Sequence, residues 1–119
     1  MGVHMTQARR ALGARGEDAV VAWYEDRGYR IVERNWRCRD GELDLVVRGG
    51  DIVVFCEVKT RSSSAFGAPV EAVTWRKQRR LRQLARLWLM ARAGDAPARL
   101  RFDVASVLAG QIEIVEDAF

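Results

Sequence analysis

Residues 40–61 constrain this chain more than any other stretch, because they place charged side chains within two apolar segments. The segments 43–48 and 52–59 are rich in aliphatic residues, and the Val and Ile among them favour β-strands. A Gly-Gly pair lies between the segments and predicts a β-hairpin, because both central residues of a type I′ turn have positive φ angles. We therefore predict a hairpin with Gly49 and Gly50 as its two-residue loop.

This hairpin register predicts which side chains share a face. Asp44 is expected opposite Phe55 and diagonal to Glu57, and strand alternation places Lys59 on the same face. The other face is apolar and is formed by Leu43, Leu45, Val47, Val54, Cys56 and Val58. Two carboxylates and a lysine on one face of an otherwise apolar hairpin call for a chemical explanation.

A divalent cation is one explanation for these charges. Mg²⁺ takes one or two protein carboxylates and fills its other positions with water and substrate phosphate. A nearby lysine can orient a water or offset charge on a reacting phosphate. The alternative is a surface hairpin whose Glu–Lys pair, two residues apart, contributes little to stability. The spacing alone leaves both interpretations open.

The same residues carry a resemblance to known proteins. Asp44 followed by Glu57-Val58-Lys59 resembles the D…(D/E)-x-K core of the PD-(D/E)xK nuclease superfamily. The runs G-E-D-A-V-V-A-W-Y, N-W-R-C-R-D-G-E-L-D-L, E-V-K-T-R and P-V-E-A-V-T-W-R-K resemble a narrower group, the YraN-like family of small bacterial proteins. That family comprises predicted nucleases related to archaeal Holliday-junction resolvases, and the resemblance covers roughly residues 10–107. Leu43 precedes Asp44 at the position where the superfamily's name has a proline, and resolvase-like members also lack that proline.

The resemblance implies a restriction-endonuclease-like α/β core and a Mg²⁺- or Mn²⁺-dependent endonuclease acting on DNA, including branched or flapped DNA. It implies that Asp44 and Glu57 bind the metal, with the Val58 carbonyl as a further ligand, and that Lys59 positions the attacking water. In resolvase-like nucleases a glutamate of the first helix reaches the metal site, and Glu17 matches that position. From the helical pattern alone, Glu17 is a solvated residue at the edge of the apolar stripe.

Length, composition and periodicity predict a single domain with a mixed sheet. The chain has 119 residues and an ordinary globular composition, and no apolar run approaches membrane-spanning length. Residues 1–5 lack periodicity and are expected to be disordered or an expression remnant. Without a signal-peptide pattern, a cytoplasmic protein is expected. The predicted order α-β-β-β-α-β-β comprises helices at 6–27 and 75–93 and strands at 29–38, 43–48, 52–59, 100–108 and 111–116.

Three single residues stand out in these elements. Gly13 and Gly16 weaken the first helix by about 1 kcal/mol each relative to Ala, so close packing against another backbone is expected as compensation. Asp103, between apolar residues of the fourth strand, is interpreted as a structural residue that bonds the backbone or the basic helix.

A second hairpin turn is predicted at Asp40-Gly41, where Arg39 would pair with Glu42. This register places Arg37 opposite the Asp44 carboxylate, where it would either hold a phosphate or neutralise the acid. Glu42 shares that face and is either a further carboxylate of the site or a strand-edge residue.

The same register places both cysteines, Cys38 and Cys56, on one apolar face. Their separation would be about two strand spacings, or 9–10 Å, which exceeds the reach of a disulfide. We therefore expect buried, unreacted thiols.

The second predicted helix is basic on one side only. It contains seven cations and no acid, with Thr74 as its N-cap: Arg76, Lys77, Arg79, Arg80, Arg82, Arg86 and Arg92. Arg79, Arg82 and Arg86 cluster away from the core, which favours a nucleic-acid surface, because an ordinary solvated face mixes both signs of charge. Lys77 lies on the core side and is expected to reach a charged site. Arg61, at the start of the small-residue loop 60–69, is a further candidate contact with nucleic acid.

Three classes of function remain open from the sequence. The first is a metal-dependent DNA endonuclease, and the second is a nucleic-acid-binding module of the same fold with little or no turnover. The third is a protein-interaction domain whose basic helix docks an acidic partner. The net charge of +4 favours an anionic partner, and no nucleotide-binding glycine loop is present, so no nucleotide cofactor is expected. A homodimer is also left open.

Overall fold

The computed structural model describes residues 3–61, 73–92, 94, 96–97 and 99–119, with side chains described from Leu12 onward. The elements are α1 (Val3–Asp26), β1 (Arg30–Cys38), β2 (Gly41–Gly49), β3 (Ile52–Arg61), α2 (Trp75–Ala91), β4 (Arg99–Leu108) and β5 (Gln111–Val115). This is the predicted order α-β-β-β-α-β-β, although α1 begins before its predicted start. Most of the predicted small-residue loop, residues 62–69, lies outside the described residues.

A five-stranded mixed sheet forms the centre of the molecule. Its strand order is β1-β2-β3-β4-β5, in which β3 and β4 are parallel and the other neighbours are antiparallel. Parallel strands cannot be joined by a tight hairpin, so the chain passes through α2 between β3 and β4. The fold class predicted from the sequence, a mixed sheet flanked by helices, is confirmed.

Each face of the sheet is covered by one helix. The α1-side cluster comprises Val20, Tyr24, Leu45, Val47, Val54, Cys56, Ala105 and Val107. The α2-side cluster comprises Leu43, Val46, Val53, Phe55, Val73, Leu81, Leu84, Ala85, Trp88, Phe102 and Val104. Burial on both faces explains why β2 and β3 are nearly continuous apolar runs. None of the helices described in this chain has the length and apolar character needed to cross a membrane.

The β2–β3 hairpin turns one residue later than predicted. Gly49 pairs with Ile52, so the loop is Gly50-Asp51, and Gly50 has a φ angle of 60°. Gly49 serves packing instead, because a Cβ atom there would lie 2.9 Å from the ring of Tyr29. The predicted pairing of Asp44 with Phe55 is therefore wrong, since Phe55 pairs with Val46.

The β1–β2 hairpin is also shifted from its predicted register. Cys38 pairs with Gly41 and Arg37 with Glu42, so Arg37 does not lie opposite Asp44. Gly41 enters β2 with a φ angle of 149°, and the turn occupies the residues before it.

This register also separates the two cysteines. Cys38 packs against the α2-side cluster, whereas Cys56 belongs to the α1-side cluster, so the prediction that both lie on one face is wrong. Both thiols are free, as predicted, and Cys56 is buried as expected, whereas Cys38 is only half-buried.

The two glycines of α1 differ in what surrounds them. A Cβ atom at Gly16 would collide with the side chain of Thr60 on β3, whereas nothing lies within 4 Å of a Cβ atom at Gly13. The expected close packing is thus present at Gly16, against a side chain, and absent at Gly13.

We expect Gly16→Ala to lower the free energy of unfolding by about 1–3 kcal/mol, because α1 or β3 must shift to admit the methyl group. Gly13→Ala is the matched control, and we expect it to raise stability by up to about 1 kcal/mol through helix propensity alone. Urea unfolding of the two variants measures both changes. Equal effects of the two substitutions would contradict the close approach at Gly16.

Candidate active site

The strands β2 and β3 stop pairing where their two carboxylates stand. The last pair toward this end is Leu45 with Cys56, and Asp44 and Glu57 are the next residues on each strand. Leu43 belongs to the α2-side cluster and Leu45 to the α1-side cluster, so β2 changes the face it presents at Asp44. β2 and β3 therefore separate at this end, and Asp44 lines one groove beside α1 and another beside α2.

The Asp44 carboxylate is held by β3 and is close to a second acid. The Val58 N–H donates to Asp44 Oδ2 at 2.9 Å. Burial raises the pKa of Asp44, and the charge and hydrogen bond of Glu57 and the charge of Glu42 raise it further, while the Val58 N–H lowers it; the resulting pKa is about 7. A carboxylate whose pKa is raised by burial and by a neighbouring acid is a site where an added cation would displace a proton.

Lys77 contacts the second acid directly. Its Nζ atom lies 2.6 Å from Glu57 Oε1, and the Glu57 side chain is almost fully buried. The Lys77 amide also donates to the Oγ1 atom of the N-cap Thr74 at 3.2 Å, which starts α2 at this place. A cation in the first turn of a helix opposes the helix dipole, so the position of Lys77 points to a role at the carboxylates rather than in the helix.

Two grooves meet at Asp44. The carboxylate groove is lined by Gly41, Glu42, Asp44, Glu57, Thr74, Arg76, Lys77, Arg80, Leu81 and Leu84. The α1 groove is lined by Leu12, Gly13, Glu17, Asn35, Glu42, Asp44, Val58, Lys59 and Thr60. Six predicted site residues therefore lie around this one point of the sheet: Glu17, Asp44, Glu57, Val58, Lys59 and Lys77.

Glu17 reaches the site from α1 as a buried acid. Its Oε1 atom accepts hydrogen bonds from Arg34 Nε at 3.0 Å and from Asn35 Nδ2 at 2.9 Å. Arg34 also bonds Asp18 at 2.7 Å, so β1 ties down this part of α1. Lys59 is exposed and lines the same groove.

Two predicted contacts with nucleic acid, Arg37 and Arg61, are not among the residues that line the two grooves. Arg37 is 78% exposed and forms an ion pair with Glu42, with 3.0 Å between Arg37 Nε and Glu42 Oε2. Arg61 ends β3, where it pairs with Leu108 of β4. Neither arginine lines the carboxylate groove or the α1 groove.

The arginines of α2 line a third groove along the outer side of the helix. This arginine groove is lined by Asp40, Arg76, Arg79, Arg80, Arg82, Gln83, Leu84, Arg86 and Leu87. Arg82 also stacks on two rings, with its guanidinium 4.9 Å from the Phe102 centroid and 5.5 Å from the Phe119 centroid. Arg76 and Arg80 line the carboxylate groove as well, so the two grooves are continuous along the first turns of α2.

Four side chains of the site were not among the predicted site residues: Arg34, Asn35, Arg76 and Arg80. Asn35 has a φ angle of 50°, and an asparagine within a strand is a signal for such an irregularity. Arg76 and Arg80 are one turn apart and flank Lys77, which places them toward the same end of α2. No sequence signal identified Arg34 as the partner of Glu17.

The sequence of this chain is similar to those of known proteins over most of its length. A family model described as uncharacterised protein family UPF0102 matches residues 16–107. The chain belongs to the UPF0102 family. A UPF0102 protein of Beutenbergia cavernae is 57% identical over 103 residues, which cover 86% of each chain. A UPF0102 protein of Rhodococcus jostii is 50% identical and covers 92% of this chain and 96% of the relative, and one of Moorella thermoacetica is 48% identical and covers 97% and 100%.

The UPF0102 match spans the region in which the site is built. Residues 16–107 include Glu17 in α1, the carboxylates of β2 and β3, and the basic helix α2. This family membership confirms the resemblance to the YraN-like proteins that the sequence motifs carried.

The donor set of this UPF0102 chain restricts which metal it could hold. Among the described residues, no group of three or more His, Cys, Asp or Glu side chains is close enough to bind a metal ion together. Mg²⁺ and Mn²⁺ prefer oxygen ligands, and Mg²⁺ needs only one or two carboxylates when water and phosphate complete its shell. The Asp44–Glu57 pair fits that preference, with Lys77 already on one Glu57 oxygen.

Proposed function

We propose that this protein is a Mg²⁺- or Mn²⁺-dependent phosphodiesterase that cleaves DNA in the cytoplasm, with branched or flapped DNA as candidate substrates. One arrangement of side chains carries the proposal. The neighbouring carboxylates Asp44 and Glu57 line the carboxylate groove. Arg76 and Arg80 line both this groove and the arginine groove of α2. The carboxylates at one end could bind a metal ion, and the arginines along α2 could bind a phosphate backbone.

The residues of the site would divide the work as follows. Asp44 and Glu57 would hold the metal ion, and when bound the metal supplies Lewis-acid polarisation of the phosphate and a more acidic water. The Val58 N–H keeps Asp44 Oδ2 in place, and Lys77 keeps Glu57 in place. Lys59 would orient the attacking water and offset the charge that develops on the phosphate. Glu17 would complete the site from the α1 side, where Arg34 and Asn35 of β1 hold its carboxylate.

The backbone contacts would come from α2. Arg76 and Arg80 line both the carboxylate groove and the arginine groove, so they would hold the phosphates nearest the cleaved bond. Arg79 and Arg86 would hold phosphates farther along the helix. Because α2 contains no acidic residue, its field is uniformly attractive to a polyanion.

A second candidate function is a nucleic-acid-binding module without turnover. One observation favours it: Lys77 already supplies a positive charge at 2.6 Å from Glu57, so the pair is partly neutralised without a metal. This alternative predicts binding that needs no metal, depends steeply on salt and is unchanged by Asp44→Asn.

The deciding experiment is a cleavage assay on single-stranded, duplex, flapped and four-way-junction DNA with Mg²⁺, Mn²⁺ or EDTA. We expect cleavage with either metal, none in EDTA, and a loss of about 10²- to 10⁴-fold in Lys59→Ala, because a positioned lysine acts on the transferred proton and the developing charge. The control is Arg99→Ala, which removes an exposed cation at the opposite end of the β3–β4 pair.

Equal activity of Lys59→Ala and wild type would remove Lys59 from the mechanism. Cleavage that persists in EDTA would contradict metal dependence. Salt-sensitive binding to these DNAs without any cleavage would favour the binding module.

A further inference from the structure

Trp75 differs from the other tryptophans of the chain in its exposure. Trp88 is 3% exposed in the α2-side cluster, and Trp23 and Trp36 are half-buried, whereas Trp75 is 70% exposed. It is the first residue of α2, directly after the N-cap Thr74. A large aromatic ring that the fold leaves in water contributes little to the core, so its presence at this position needs another explanation.

The surroundings of Trp75 point to an anionic aromatic ligand. Its neighbours Thr74, Arg76 and Lys77 line the carboxylate groove, so the residue lies next to the candidate active site along α2. The guanidinium of Arg79 lies 4.9 Å from the ring centroid, and Arg79 also lines the arginine groove. An accessible ring with cations on the same helix turn combines a surface for stacking with contacts for phosphates.

A single exposed apolar residue is not unusual on a protein surface. The case for a binding role of Trp75 therefore depends on where it lies relative to the grooves. Met90 provides the comparison, because it is 75% exposed on the same helix but lies at the other end, away from the carboxylates. The residues on either side of Trp75, Thr74 and Arg76, line the carboxylate groove, whereas the residues on either side of Met90 line neither groove.

We propose that an unpaired base stacks on Trp75, next to the phosphate that would bind beside Asp44 and Glu57. Aromatic side chains bind single-stranded nucleic acid by stacking on base faces, and positive side chains follow the backbone. In an intact duplex the base faces are covered by neighbouring bases and cannot stack on Trp75. The ligand class is therefore DNA with unpaired nucleotides at the site, such as a single strand or a flap, rather than uninterrupted duplex. This inference rests on the proposed function and names its substrate class.

The test measures binding in EDTA, so it does not depend on cleavage. The probes are a fluorescently labelled single-stranded oligonucleotide and a blunt duplex of the same sequence, titrated with wild type, Trp75→Ala, Trp75→Phe and Met90→Ala. We expect Trp75→Ala to weaken single-strand affinity about tenfold, because stacking on one aromatic ring accounts for an effect of that size. Trp75→Phe keeps a ring and should stay within about threefold of wild type, as should Met90→Ala.

A second readout reports on the ring itself. Stacking of a base on Trp75 should quench intrinsic fluorescence when unlabelled single strand is added, and Trp75→Phe should abolish most of that quenching while the other three tryptophans remain. Duplex affinity should change by less than about threefold in every variant, because phosphates rather than base faces dominate duplex binding.

Several outcomes would overturn the inference. These are an unchanged single-strand affinity in Trp75→Ala, an equal loss on duplex, or no binding of wild type to single strand at low salt. A shift from dimer to monomer in Trp75→Ala with unchanged oligonucleotide affinity would assign the ring to self-association instead. If wild type cleaves DNA but Trp75→Ala binds single strand as wild type does, only this inference is wrong. If binding depends on Trp75 but no DNA is cleaved in Mg²⁺ or Mn²⁺, only the proposed endonuclease activity is wrong.

Discussion

Asp44→Asn is expected to produce a protein that is more stable and at the same time inactive. Removing the carboxylate should lower the proposed cleavage about a thousandfold, because the loss of a proposed metal ligand would remove several kcal/mol of transition-state stabilisation. The same change should raise the free energy of unfolding at pH 8 by about 1–3 kcal/mol, since the folded chain no longer has to hold a second buried negative charge beside Glu57.

The pH dependence of that gain has a definite sign. The pKa of Asp44 is raised to about 7 in the folded chain from an ordinary value of 3.8, so the folded state binds the proton more tightly than the unfolded state does. Its contribution to stability is fully present below pH 4 and is lost as the pH rises through 7. The difference in unfolding free energy between Asp44→Asn and wild type should therefore be smallest near pH 4 and should grow up to about pH 8.

Urea unfolding of both proteins in EDTA at pH 4, 6 and 8 measures this difference, and titrations elsewhere in the chain cancel in the subtraction. Adding Mg²⁺ or Mn²⁺ at pH 8 should stabilise wild type by mass action and leave Asp44→Asn unchanged. Glu113→Gln on β5 is the control, because it removes an exposed carboxylate that lines neither groove. A pH-independent difference between the two proteins would contradict the coupled carboxylate pair.

The fold could be predicted from local patterns because they agree with one another. Apolar runs separated by glycine turns predict β2 and β3, and the stripe that begins after Thr74 predicts α2. The hydroxyl of Thr74 accepts the Lys77 N–H in the structure, as an N-cap should. Each of these signals depends on neighbours a few residues away, so no knowledge of the packed molecule was needed.

The strand registers could not be predicted, because glycine serves two purposes in this chain. Gly50 supplies the positive φ angle of the turn, whereas Gly49 makes room for the ring of Tyr29, and adjacent glycines look alike in a sequence. The contact with Tyr29 spans twenty residues along the chain, and local turn chemistry carries no information about it. This error gave Asp44 the wrong predicted partner across the β2–β3 hairpin.

The candidate site was predicted in part for a similar reason. The spacing of Asp44, Glu57 and Lys59 along one hairpin is a local property, and the inward direction of Lys77 follows from helical periodicity. The hydrogen bonds from Arg34 and Asn35 to Glu17 depend on how α1 docks on β1 and on the irregular backbone at Asn35. Such contacts are set by tertiary packing, and no spacing rule identifies them.

Asp103→Ala should have the opposite effect to Asp44→Asn and lower the free energy of unfolding by about 3–5 kcal/mol. The Asp103 carboxylate is fully buried and accepts from Tyr24 Oη at 2.6 Å and from the Asp117 N–H at 3.0 Å. Arg101 forms a two-pronged contact with it, at 2.8 Å from Nε and 2.9 Å from Nη2. Alanine would leave a hydroxyl, an amide and a guanidinium without this acceptor, and the hydroxyl of Tyr24 and the guanidinium of Arg101 are largely shielded from water.

These contacts also decide between the two partners expected for Asp103. The carboxylate bonds the backbone near the C-terminus and ties α1 to β4, and its hydrogen bonds in the described part of the chain do not include the basic helix α2. Asp103 raises the pKa of Arg101 through their hydrogen bonds, so the arginine stays charged and depends on this partner. The residue is therefore structural, and its loss should affect the fold before it affects any site.

Glu116→Ala provides the matched control for Asp103→Ala, because Glu116 pairs with the same arginine at 3.8 Å but is half exposed. We expect it to lower the unfolding free energy by less than about 1 kcal/mol, as exposed ion pairs do. Thermal and urea unfolding compare the two variants. Equal losses would show that burial does not set the strength of the Asp103 contacts. A domain of this size has a total stability of only about 5–15 kcal/mol, so Asp103→Ala should remove a substantial fraction of it. Asp44→Asn, in contrast, should abolish the proposed activity and make the chain more stable.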